Sequence, residues 1–394
     1  MDRARQRAAA EWLIDGARSA KEADAVLSQL CDRLVEAGLP LARVGVFVRT
    51  LHPQLLGRSF IWAPGKGTVT NLAPAEFVAS AEYLASPIAR IYDTRQPLRR
   101  CLADPACPLD FEILRKFRDE GMTDYLAAPL FFTDGEVHGT TWTTRRPGGF
   151  TRDDIAAIEA ILPPLARVAE VRALRRIAAN LLDTYVGHHA GGRILAGQIR
   201  LGDSERIQAA IWLSDMRGFT ARADRLPPET LIGLLNAYFD CQVPAILAQG
   251  GEVLKFMGDG LLAIFDIAGD QGRKEATCAR ALAAAREARE KIGALGNAGL
   301  ETEPVRFGLA LHLGEVLYGN IGGASRLDFT CIGPAVNLAA RLEKLASRLG
   351  RSILASEDFA GHCASELAPI GDFTLPGFAA AHRVFGLAEE GAPA

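Results

Sequence analysis

The chain has 394 residues, too many for one ordinary domain, so two domains and a linker are expected. Hydrophobic residues make up 49% and charged residues 23%, enough apolar material for two cores in a water-soluble protein. The formal net charge of −3, with acids and bases well mixed, argues against a general nucleic-acid binder.

The N-terminal stretch carries charges throughout and lacks the apolar core of a secretory signal. No stretch approaches the roughly 18–20 uncharged apolar residues that span a bilayer, so a cytoplasmic protein with no membrane contact is expected. Its seven cysteines (Cys31, Cys101, Cys107, Cys241, Cys278, Cys331, Cys363) are odd in number and lack CxxC or Cys/His spacing. Reduced thiols are expected, with neither disulfides nor a zinc site.

Residues Arg7 to Ala37 show helical spacing, and Leu41 to Val48 and Phe60 to Trp62 read as strands. Phe111 to Glu120 is a short amphipathic helix. Asp124 to Phe132 and Glu136 to Thr144 form a hairpin around Asp134-Gly135. Thr151 then caps a helix with Asp153 and Asp154 in its first turn. This order of helix, strands, hairpin and closing helix resembles a GAF domain, a small-molecule sensor fold, over 1–160. The resemblance implies a small-molecule effector of unidentified chemistry.

From Ile155 to about Tyr185 the pattern is helical, with an interruption expected at Pro163-Pro164. Leu165, Val168, Val171, Leu174, Ile177 and Leu181 recur at spacings of three and four, a stripe suited to pairing with a second copy or to packing on its own domain. The Gly-rich run 187–202 cannot be one regular element. In it, His188-His189 reads as solvated or capping. Residues 161–206 are thus a linker and transducer, and a second domain covers 207–390.

That second domain contains three runs that carry chemistry. Ala209 to Thr220 is an apolar strand ending at Asp215, then a Gly-containing turn into a helix; a carboxylate beside free N–H groups can hold Mg²⁺ and receive a triphosphate. Gly251 to Phe265 is a hairpin with Asp259 at its tip. Phe307 to Leu342 gives a strand, a small-residue loop, a strand ending near Ile332, and a helix with Asn337 and Arg341 on one face.

Together, SDMRGFT around Asp215, Lys-x-x-Gly-Asp at Lys255 to Asp259, and Asn-x-x-x-Arg at Asn337 and Arg341 resemble the catalytic domain of class III adenylate and guanylate cyclases. The resemblance implies an α+β protein: a C-terminal domain with a ferredoxin-like βαββαβ core, a GAF-like α/β domain before it, and a helical linker between. It also implies a homodimer with active sites at the subunit interface. Asp215 and Asp259 would hold two Mg²⁺ per site, with Mn²⁺ able to substitute. Met216, Gly218, Phe219 and Thr220 would cradle the phosphates. Arg341 would stabilise charge at the α-phosphate, and Asn337 would orient the ribose.

Lys255 and Thr330 would read the base. An ammonium only donates, which suits the adenine N1 acceptor and not the guanine N1–H. Many adenylate cyclases carry Asp at the second position, and guanylate-forming relatives carry Glu and Cys at the two, so ATP is the expected substrate. The alternatives are GTP, or an inactive nucleotide-binding regulatory module. The Lys–Thr pairing also resembles a subgroup some of whose members respond to bicarbonate. Two departures stand out: Pro334 replaces a frequent Asp, and Leu375-Pro376-Gly377-Phe378 lies where relatives place a basic triphosphate-binding residue, leaving Arg383 as the candidate substitute.

Overall fold

A computed structural model describes residues 2–52, 54–267, 273–295, 304–323, 325–363 and 365–390. The chain divides into two compact units, Met1–Leu181 and Leu182–Ala394.

In the first unit the helical pattern at the start is two helices, α1 (Arg3–Ile14) and α2 (Ala23–Glu36), separated by a turn in which Ala17 has a φ of 50°. Six antiparallel strands follow: β1 (Arg43–Arg49), β2 (Leu55–Ala63), β3 (Gly67–Pro74), β4 (Leu98–Arg100), β5 (Asp124–Phe131) and β6 (Val137–Thr144), in the order β3-β2-β1-β6-β5-β4. Helices α3 (Ala81–Leu84), α4 (Pro87–Thr94) and α5 (Glu112–Asp119) lie between β3 and β5 in sequence, and α6 (Arg152–Val186) closes the unit. Because both sheet faces are covered, β5 and β6 are buried almost throughout. Leu126 and Leu130 of β5 join the α1, α2 and α6 core, while Tyr125 and Ala127 join the cluster with Leu114 and Phe117 of α5. Thr151 and Asp154 cap α6 reciprocally through backbone bonds of 3.2 and 2.7 Å, worth about 1 kcal/mol.

The expected break at Pro163-Pro164 does not occur: α6 runs through both prolines. The carbonyls they leave unbonded belong to Glu159 and Ala160, which are exposed to water, while Ile158, Ile161 and Leu165 anchor the opposite face in the core. The stripe on α6 is divided. Leu165 and Val168 are buried in their own unit, whereas Val171 and Leu174 are more than half exposed.

In the second unit the Gly-rich run is not one element: it begins with a short helix, α7 (His188–Leu195), whose buried Ala190 N–H donates to Glu252 at 3.1 Å, and continues to Gly202 without regular structure. His188 is exposed, with Nδ1 3.2 Å from Asp183. Then come β7 (Ser204–Met216), α8 (Phe219–Arg225), α9 (Pro228–Ala248), β8 (Glu252–Met257), β9 (Gly260–Asp266), α10 (Arg273–Leu295), β10 (Phe307–Gly323), β11 (Arg326–Ile332), α11 (Pro334–Arg348), β12 (Ile353–Ser356), α12 (Glu357–Ala360), β13 (Leu367–Thr374) and β14 (Ala381–Leu387). The sheet runs β13-β14-β12-β10-β7-β9-β8, with β11 on β10. The segment β7-α9-β8-β9-α10-β10, with strands ordered β10-β7-β9-β8, is the ferredoxin-like βαββαβ core.

Among the described residues one helix, α9, is long and apolar enough by composition to cross a membrane, although Asp240 interrupts its apolar run. Its Leu234, Tyr238, Cys241, Ala245 and Ile246 pack in the core of the second unit, and Gln242 on the same helix accepts from Ser214 of β7 at 2.6 Å. All seven cysteines are free; Cys101 is exposed, Cys107 half-buried and the other five buried.

Candidate active site

Asp215 is the penultimate residue of β7. Its neighbour Ser214 pairs with Leu261 of β9, so the Gly258-Asp259 turn between β8 and β9 falls beside it. The approach is close: a Cβ at Gly260 would lie 3.5 Å from Asp215 Oδ1 and 3.2 Å from the Ser214 carbonyl. The two carboxyls therefore share one half-buried site. Burial, then the hydrogen bond and charge of Asp259, push the Asp215 carboxyl up to about 7.

One cation stands near this pair. Arg217 lies over Gly308, where a Cβ would be 1.6 Å from its Nη2, and it pairs with Glu343 of α11 at 3.1 Å. Glu343 is buried, and burial raises its carboxyl while Arg217 opposes the shift. With Arg217 committed to Glu343, the Asp215–Asp259 pair has little local counter-charge, and two hard oxygen donors in that state suit Mg²⁺ or Mn²⁺. Among the described residues no group of three or more His, Cys, Asp or Glu side chains could hold a metal, so water and a ligand's oxygens would have to complete a coordination shell.

Past Asp215 the chain turns at Gly218, with a φ of 70°, into α8. Met216 is buried, Phe219 packs on the main core, and Gly218 and Thr220 are exposed. Buried Arg222 donates to the carbonyls of Arg217 and Pro304, which fixes this turn.

Lys255, on β8, pairs with Asp328 of β11 at 3.1 Å. Asp328 lies two residues before Thr330 and hence on the same strand face, opposite the face that buries Phe329 and Cys331. Thr330 is buried, and its hydroxyl has no hydrogen-bond partner among the described residues. The sequence pattern does not single out Asp328, because only the docking of β11 beside β8 brings it to Lys255.

Asn337 and Arg341 lie one turn apart on α11, exposed and half-buried, and neither side chain has a polar partner among the described residues. Arg341 is two positions from Glu343, about 200° around the helix. Since Glu343 faces Arg217 near Asp215, Arg341 points away from the carboxylate pair of its own chain. Pro334 is the first residue of α11, where its missing N–H costs nothing, after Gly333 as N-cap. Arg383, on β14, has its nearest acid in Asp372 at 3.8 Å, both exposed.

Residues 203–366 match the family model of the adenylate and guanylate cyclase catalytic domain, and residues 22–167 match that of the GAF domain. The chain thus contains a GAF domain at 22–167 and, after it, a class III adenylate/guanylate cyclase catalytic domain at 203–366. Adenylate cyclase of Anabaena cylindrica is 32% identical over 159 residues, 40% of this chain and 31% of that protein. Among solved structures, the adenylyl cyclase CyaB from P. aeruginosa is 26% identical, with a TM-score of 0.41 over 48% of this chain and 98% of that one. The guanylyl cyclase Cya2 is 28% identical, with a TM-score of 0.41 over 47% and 93%. The chain spans about a third of the length of the curated relatives it matches.

Proposed function

We propose that the protein is a homodimeric adenylate cyclase that converts ATP to 3′,5′-cyclic AMP and pyrophosphate. The observation that carries this reading is the meeting of Asp215 and Asp259 at a strand end, beside the turn into α8. Those carboxylates would hold two Mg²⁺. Bound there, the metal supplies Lewis-acid activation of the ribose 3′-hydroxyl and neutralises the triphosphate. The 3′-oxygen attacks the α-phosphorus, the bond to the β-phosphate oxygen breaks, pyrophosphate leaves, and the hydroxyl proton is released. Backbone N–H groups from Met216 to Thr220 receive the phosphates, Arg341 stabilises charge growing on the α-phosphate, and Asn337 orients the ribose. Since ring closure is intramolecular, positioning and electrostatics do most of the work.

A second copy would complete the site, a reading supported by Arg341 and Asn337 lying on a face of α11 turned from Glu343, which meets Arg217 near Asp215. Apolar surface around the base-reading residues supports such a partner: Phe256 is 53% exposed, Met257 44% and Ile332 45%. A cytoplasmic setting, which supplies ATP and keeps the thiols reduced, fits these requirements.

ATP is favoured over GTP by Lys255, which donates to adenine N1, and by Thr330, whose unpartnered hydroxyl is free to accept from the adenine amino group. Asp328 restrains the ammonium. Purified protein with Mg²⁺ should form cyclic AMP from ATP at least tenfold faster than cyclic GMP from GTP. Lys255→Glu with Thr330→Cys should lower kcat/KM for ATP tenfold or more, since each mispaired buried group costs about 1–3 kcal/mol, and should admit some GTP. An unchanged ATP:GTP preference would remove these side chains from base recognition.

Regulation would pass through α6, whose exposed Val171 and Leu174 offer a pairing surface beyond the GAF core. Val171→Asp with Leu174→Asp should change basal kcat several-fold without touching the active site. Equal rates at concentrations where both forms are dimeric would rule out this route.

A further inference from the structure

The first unit holds a cavity of about 480 Å³ between its sheet and helices α2 and α6. Val46 and Val48 of β1 and Phe60 of β2 form an apolar floor, and Leu27, Leu165 and Val168 line the sides. Such a volume lies within the range of small-molecule sites, about 300–1,000 Å³.

The polar part of the lining is strongly one-sided. Lys21, Arg49, Arg58, Arg172, Arg175 and Arg176 border the cavity, against Glu22 and Asp24. Arg58 is the informative one. It is opposite Val48 in the β1–β2 register, so its side chain leaves the sheet on the same face as Val48 and Phe60. Its Nε is shut off from water and has no hydrogen-bond partner among the described residues. Burial, and then the neighbouring Arg176 charge, lower its hold on the proton. Of the other cations, Arg49 also has a buried Nε without a partner among the described residues but donates through Nη2 to Tyr83 at 2.7 Å. Arg172 is spent on the carbonyls of Ala20 and Lys21, and Arg176 pairs with Glu22, at 3.8 Å on the surface. Two guanidiniums drawn together over an apolar floor, one with a buried unused donor, form half of a charge pair.

We propose that this cavity binds an amphipathic anion, a medium-chain carboxylate whose head group sits between Arg58 and Arg176 and whose tail lies along Val46, Phe60 and Leu165. The carboxylate takes the bidentate geometry that guanidinium offers, and the tail covers the apolar floor. A second copy of the chain is a poorer occupant, because Val171 and Leu174, the exposed apolar residues of α6, are not among those that line the cavity. Binding here is independent of the chemistry of the second unit.

Calorimetric titration of the full chain with decanoate tests this without any turnover. Saturable binding of one decanoate per chain is expected, with decanol at least tenfold weaker and acetate silent at the same concentrations. Arg58→Met should weaken decanoate at least tenfold, and Arg58→Lys less. Arg176→Met, on the exposed rim where folding is not at stake, should weaken it several-fold. Absence of saturable decanoate binding, equal affinity for decanol, or unchanged affinity in Arg176→Met or a folded Arg58→Met would overturn the proposal.

Discussion

Asp215→Ala and Asp259→Ala should each lower kcat for cyclic AMP formation by more than a hundredfold, about 2.7 kcal/mol of transition-state stabilisation. Each deletes one of two carboxylates that share a single site beside the turn into α8, and no third His, Cys, Asp or Glu among the described residues completes a metal-binding group there. Structural roles for these residues make the opposite forecast. Two facing carboxylates repel once both are ionised, so an alanine at either position should leave thermal stability unchanged or slightly raised. Activity lost with the melting temperature retained therefore separates the catalytic role from a structural one. A variant that kept more than about a tenth of wild-type kcat with saturating Mg²⁺, a loss under 1.4 kcal/mol, would show that its carboxylate is not a metal ligand.

Local patterns, a strand end before a Gly turn and a Gly-Asp-Gly hairpin tip, fixed where Asp215 and Asp259 lie on the backbone, but turns alone would explain both residues, and the family resemblance singled them out. The ferredoxin-like strand order was implied by that resemblance and by no local pattern. Contacts decided by tertiary register were not. Asp328 meets Lys255 only because β11 lies beside β8, and Arg217 meets Glu343 only because α11 packs across β7 and β10. Pro163-Pro164 are poor helix formers, yet α6 persists where Ile158, Ile161 and Leu165 are buried, and in the Gly-rich run only 188–195 is helical, around buried Ala190. Strand β3 escaped notice because Thr68, Val69, Thr70, Asn71 and Leu72 lie at a sheet edge with little burial to impose an apolar alternation.

Complementation has the second large effect, because it starts from two nearly inactive chains. Arg341 leaves α11 away from Glu343, which faces Arg217 near Asp215, and in the proposed homodimer a complete site takes Asp215 and Asp259 from one chain and Lys255, Asn337 and Arg341 from the other. An Asp215→Ala homodimer lacks a metal ligand in both sites, and an Arg341→Ala homodimer lacks the phosphate cation in both. In the heterodimer both defects fall in one site and the other is intact. Mixing the two differently tagged variants, isolating the doubly tagged dimer, and measuring cyclic AMP from ATP and Mg²⁺ should therefore recover about half the wild-type kcat per dimer, tens of times either parent. A doubly tagged dimer no more active than its parents, beside a wild-type protein that does form cyclic AMP, would contradict the shared active site.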